Sequence, residues 1–151
     1  MTATQPPVPS ETTPVADDQP QGPVAIVTGA GTGIGLALCH RLAARGYRLV
    51  LAGRRREPLE SAAEALDTET LVHIADMGTP DDAEAVVDAA VAAFGRLDAL
   101  INNAGGGPLA PIDQHTPDMI RQTLETNTLG PAVAIARAWP VFTEQGGGRI
   151  V

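Results

Sequence analysis

Apolar residues in this sequence fall into two kinds of grouping, which alternate from residue 23 onward. The first kind is a short, nearly unbroken run: VAIV (24–27), RLVLA (48–52), TLVHIA (70–75) and DALIN (98–102). Such runs, with little polar alternation, predict strands covered on both faces, as in a parallel sheet. The second kind is helical in spacing. Ile34, Leu38 and Leu42 recur at i, i+4 and i+8, and Gly46 supplies the stop. Ala83, Val86, Val87, Ala90, Val91 and Phe94 form one stripe of a later helix. That helix opens with TPDD (79–82), a Thr cap followed by proline and early acids. A longer helical region covers about 116–143, with Pro131 and Pro140 as expected kinks. Strands and helices in this alternation predict an α/β fold, a doubly wound parallel sheet with right-handed crossovers.

Residues 1–22 follow neither pattern. They are rich in Pro, Thr, Gln and Asp and hold few bulky apolar side chains. A segment of that kind cannot bury enough surface to offset its ordering entropy, so it reads as a disordered tail. Residues 23–151 form one unit, long enough for a hydrophobic core. No apolar run approaches membrane-spanning length, and no basic start leads into an apolar stretch. Neither a membrane segment nor a signal peptide is therefore expected. A net charge of −8 argues against nucleic acid or an anionic membrane as a partner. The single cysteine, Cys39, sits in an apolar helical pattern; it reads as a buried thiol and suits a reducing cytoplasm. His40, His73 and His115 lack ligand spacing, so no metal site is expected. All ten basic residues are arginines, and a mechanism that needs a lysine cannot run on this chain alone.

The chemistry begins after the first strand. Gly29, Gly31, Gly33 and Gly35 sit at every second position between that strand and the first helix. A glycine-rich turn lets backbone approach a pyrophosphate, and the helix start offers free N–H groups and partial positive charge. The spacing is T-G-x-x-x-G-x-G, with Thr28 ahead of Gly29. A dinucleotide site commonly carries an acid at the end of the second strand, to hold the adenosine ribose. Here that place reads AGRRRE (52–57): Gly53 replaces the acid, and Arg54 and Arg55 follow. A guanidinium there can hold a 2′-phosphate that a carboxylate would repel, which favours NADP over NAD, although NAD is also accommodated. The alternative is a solvated arginine run at a helix start. Asp76, at the end of the third strand, is placed either to accept the adenine amino group or to cap a helix. NNAGGG (102–107) ends the fourth strand and can close the floor of the same cleft.

Together these pieces resemble the short-chain dehydrogenase/reductase family, in its N-terminal portion. The resemblance is carried by TGAGTGIG (28–35), Asp76, NNAG (102–105) and TNTLG (126–130). GGGRIV (146–151) resembles the entry to the family's fifth strand. It implies a Rossmann-like doubly wound sheet, incomplete here, with about its first four to five strands. It further implies that Thr28, Gly29, Ala30, Gly31, Thr32, Gly33, Ile34 and Gly35 bind the cofactor diphosphate and adenosine ribose. Thr32 takes a place often held by a basic residue in NADP-preferring members. Arg54 would recognise the 2′-phosphate, Asp76 and Met77 would border the adenine, and Asn103, Ala104 and Gly105 the nicotinamide-side ribose. Asn127 matches the asparagine that positions a water in the family's proton relay, and is the one catalytic residue expected in this chain.

The family's general acid/base is a tyrosine in Tyr-x-x-x-Lys, its pKa lowered by the lysine, with a serine ahead of it, all after the fifth strand. The only tyrosine here is Tyr47, followed by RLVL, and no lysine exists. The expectation is therefore the cofactor-binding half of a longer, homo-oligomeric cytoplasmic oxidoreductase acting on a small carbonyl or alcohol. Lacking a covering strand, the DALIN run is expected to form an exposed apolar edge prone to association. Two other classes share parts of this pattern. One is a non-catalytic dinucleotide binder of the same fold. The other, a methyltransferase, would want an acid where Gly53 and Arg54 stand.

Overall fold

The structure, a computed structural model, describes residues 22–151, so the segment read as a disordered tail lies outside the described residues apart from Gly22. In chain order the elements are β1 (Val24–Thr28), α1 (Gly33–Ala43), β2 (Arg48–Gly53), α2 (Arg56–Glu64), β3 (Thr70–Ile74) and α3 (Pro80–Phe94). Then come β4 (Ala99–Ile101), α4 (Pro117–Leu124), α5 (Gly130–Glu144) and β5 (Arg149–Ile150). A 3-10 turn, Ile112–Gln114, precedes α4, and a π turn, Glu125–Leu129, joins α4 to α5.

Strand order is β3-β2-β1-β4-β5, with every pairing parallel. The chain winds outward from β1 through β2 to β3, then crosses back to lay β4 on the other side of β1. Winding reverses at that point, so the loops leaving β1 and β4 diverge and open a crevice at the carboxyl ends of the strands. This is the Rossmann-like α/β architecture expected from the alternation.

The unbroken apolar runs are explained by two cores. Val24 and Ile26 of β1 join Val50, Ala52 and Leu100 beneath α3 and α5. Ala25 and Val27 point the other way and join Leu49, Leu51 and Ile101 beneath α1 and α2. All but Ile101 are completely buried. Each Leu, Ile or Val so buried contributes about 1.5–3 kcal/mol. Cys39 lies in the second core, where burial pushes its thiol up to about 12, as suits a structural residue.

Three expectations are corrected. DALIN is not an exposed edge: β4 lies between β1 and β5, and its three residues are buried. The edge falls to β5, whose two residues are exposed. At the opposite edge, β3 is only half covered, and Ile74 is exposed. Its apolar run reflects partial burial on one open rim. The long helix breaks at the π turn rather than at a proline-induced kink. Pro131 occupies the first turn of α5, where its missing N–H is tolerated, while Pro140 lies inside α5.

At the amino end of the sheet a charged cluster ties the strands together. Asp98 accepts the Val24 N–H at 2.8 Å and a paired contact from Arg96, at 2.9 and 2.6 Å. Burial pushes the Asp98 carboxyl up. The Arg96 and Val24 hydrogen bonds and the charges of Arg96 and Arg48 outweigh it and hold the group below its ordinary range.

Candidate functional site

Beyond Thr28 the chain turns sharply into α1. Gly29 and Ala30 donate to the Ala52 carbonyl at 2.8 and 3.2 Å, which pins the turn to the end of β2. Gly33 adopts φ +56°, a left-handed conformation that disfavours side chains, with open space beside it. A Cβ on Gly35 would overlap the Gly29 carbonyl, so α1 packs directly on the turn. Thr32 stands at the N-cap without a side-chain cap bond, and the first turn of α1 holds no acid. The leading N–H groups and the positive end of the helix dipole thus face the crevice with no carboxylate in that first turn.

The loop after β4 is anchored to the same turn. Thr28, 1% exposed, accepts the Ala104 N–H at 2.9 Å and donates to the Ile101 carbonyl at 3.2 Å. Asn103 donates through Nδ2 to the carbonyls of Thr28 and Gly29, at 2.9 and 3.4 Å. From the π turn, Asn127 grips the loop after β4 without itself lining the cleft. Its Nδ2 donates to Gly106 O at 2.6 Å and Thr123 O at 2.7 Å, and its Oδ1 accepts the Gly106 N–H at 3.1 Å. Both amide hydrogens are committed, leaving one lone pair of Oδ1 as the remaining side-chain capacity.

The resulting cleft encloses about 410 Å³. It brings together Gly29, Thr32, Gly33 and Ile34 from the first turn, Arg54 after β2, Asp76 and Met77 after β3, and Asn103, Ala104 and Gly105 after β4. Arg55 and Gly31 line a smaller pocket of about 80 Å³ that adjoins it through Arg54, Thr32 and Gly53. Arg54 and Arg55 are exposed, and among the described residues neither pairs with a carboxylate; Arg56, by contrast, meets Glu60 at 3.2 Å. Asp76 accepts the Gly78 N–H at 3.0 Å, which turns the β3 loop across the cleft mouth.

Some predicted residues stand behind the cleft rather than in it. Ala30 is completely buried, and Gly35 and Thr28 act through packing and hydrogen bonds from below. Ile34, expected to begin the buried stripe of α1, is 74% exposed and lines the cleft, while Leu38 and Leu42 pack on the core. Gly53, Ala75 and Thr126 also line the cleft and were not picked out as ligands. Thr126 had entered only as the first residue of TNTLG, with no role of its own.

The sequence model of the short chain dehydrogenase family matches residues 23–151. The chain belongs to that family. Among curated relatives, a protein named as ketoacyl reductase 2 of the granaticin polyketide synthase of Streptomyces violaceoruber is 40% identical over 141 residues. The match covers 91% of this chain and 56% of that protein. The 11-beta-hydroxysteroid dehydrogenase 1A of Arabidopsis thaliana is 38% identical over 86% of this chain and 38% of its own length. Among solved structures, a metagenomic short-chain oxidoreductase in complex with NADP superposes with a TM-score of 0.81 at 31% identity, over 86% of this chain and 61% of that one. An NAD+-bound xylitol dehydrogenase gives 0.80 at 34% identity, over 86% and 52%. The short-chain dehydrogenase chain described here spans about half the length of the relatives it matches.

Proposed function

We propose that this chain is the cofactor-binding part of an NADP-dependent oxidoreductase that transfers hydride between the nicotinamide and a carbonyl or alcohol. One observation carries the reading: a cleft at the reversal point of the sheet, with a helix start lacking a side-chain cap at one wall and, where a ribose-binding acid would otherwise sit, Arg54 and Arg55, which pair with no carboxylate among the described residues. The family membership and the NADP-bound neighbour support it.

The residues fit such a ligand. The cradle at Gly33 has open space that a side chain would occupy, and the N–H groups of α1 suit a diphosphate. Arg54 and Arg55 suit a 2′-phosphate through charge-assisted hydrogen bonds. The Asp76 carboxylate would accept from the adenine amino group, with Met77 beside it, and the backbone of 103–105 would border the second ribose. A nicotinamide held there would supply the hydride chemistry. Asn127 holds the loop after β4 against the cleft, and its free Oδ1 lone pair is the site at which it orients a water. Tyr47 precedes β2 at the amino end of the sheet, away from the cleft, and there is no lysine. The family's acid/base tyrosine and lysine therefore have no counterpart at this cleft.

Equilibrium binding of NADPH and NADH, followed by cofactor fluorescence, tests the assignment. NADPH should bind at least about tenfold more tightly, because a hydrogen bond to a charged group is worth about 1.5–3 kcal/mol. Arg54→Ala should remove most of that preference by weakening NADPH alone. Equal affinities in the wild type, or equal losses for both cofactors in the variant, would overturn it.

A further inference from the structure

The π turn Glu125–Leu129 bears on two loops that approach the cleft from different sides. Thr126 lines the cleft, and a Cβ on Gly78 would come within 3.0 Å of its hydroxyl, so the loop after β3 packs closely on it. The next residue, Asn127, grips the loop after β4 by the N–H and carbonyl of Gly106. A third contact sets where this turn sits. Gly130, buried at the start of α5, lies so close to the loop after β3 that a Cβ there would overlap the Met77 carbonyl oxygen. Its φ is −57°, an ordinary helical value. Glycine is thus required for the contact rather than for the backbone conformation. The loop cannot retreat cheaply: Asp82 accepts the Asp76 N–H at 2.8 Å, and Asp76 accepts that of Gly78.

We propose that Gly130 is a positioning residue for the cleft. By letting α5 seat on the Met77 carbonyl, it places the π turn so that Thr126 and Asn127 hold the β3 and β4 loops at one fixed spacing. The two ends of the cleft are thereby linked through a single turn of helix. The proposal rests on the cofactor reading for the ligand that this spacing serves; the link itself is a property of the free protein.

Amide hydrogen exchange at Gly78 and Gly106, resolved by NMR on the free chain, reads the link, with an NADPH titration beside it. In Gly130→Ala the added methyl pushes helix and loop apart. Exchange at both amides should rise about tenfold or more, the effect of weakening a hydrogen bond by roughly one unit of its net worth. NADPH affinity should fall by a similar factor. Asn127→Ala removes an exposed side chain and frees Gly106 directly, and the link requires Gly78 to exchange faster as well. A change at Gly106 alone in Asn127→Ala, or at neither amide in a folded Gly130→Ala, overturns the proposal. Should Gly130→Ala not fold, the Asn127→Ala result decides. Linked exchange in a chain that binds no NADPH would sink the cofactor reading and leave the positioning role standing.

Discussion

Replacing Thr28 by valine separates hydrogen bonding from volume at the point where β1, β4 and the loop after β4 meet. The shape is conserved, so no cavity opens. The Ala104 N–H loses its acceptor at 2.9 Å and the Ile101 carbonyl loses a donor at 3.2 Å. Leaving a buried polar group unpaired costs about 1–3 kcal/mol. Thr28 itself is 1% exposed, but Ala104 lies beside the cleft, where water replaces part of the loss. The expected total is about 2–3 kcal/mol. Thr28→Ser makes the opposite change, keeping the hydroxyl and deleting one methyl, for about 1 kcal/mol. Urea unfolding with an unchanged slope measures both. At about 1–3 kcal/mol per molar urea, the valine variant should lose about 0.7–3 M in its midpoint and the serine variant less. A valine variant as stable as the serine variant, or more so, would show that the hydroxyl does not join the two loops.

Two further predictions concern titrating groups. The Asp98 carboxyl is held below its ordinary range in the folded chain. Its contribution to stability is therefore complete above about pH 5 and is lost as the pH falls through about 4 toward the lower folded value. Asp98→Asn should be less stable at pH 7 and should flatten the pH–stability curve in that window; an unchanged slope would refute the role of the Arg96 and Val24 contacts. Cys39, with its thiol pushed up to about 12 by burial, should resist a thiol-reactive chromogenic reagent at pH 8 until the chain is unfolded in urea. Fast labelling of the folded chain would show that the core around α1 opens.

Much of the site was readable because its chemistry is local. The glycine turn lies within one strand–turn–helix segment, and Arg54 follows a strand end directly, so spacing alone aligned both with a dinucleotide. Asn103 was assigned to a ribose, yet its amide turns back to hold the carbonyls of Thr28 and Gly29. Ile34 was placed both in the helical stripe and among the cofactor residues; on the first turn of α1, beyond the carboxyl end of β1, it lines the cleft and leaves the stripe to Leu38 and Leu42. Thr126 and Gly130 were legible only as members of TNTLG; what they touch was not, because Gly78 and Met77 are remote in sequence and are met through a close approach.

The sequence by itself determined four of the strands and where the glycine turn between β1 and α1 lies. Two-sided burial demands unbroken apolar runs, and a helix start at a strand end demands glycine. Which strand became the rim was decided only in three dimensions. Periodicity reports how many faces of a strand are covered but not which strand lies beside it, so β3 and β4 read alike until the sheet order put one at the edge and the other inside. The π turn belongs to the tertiary structure for the same reason. Its bulge is held by contacts to two loops that no local pattern encodes.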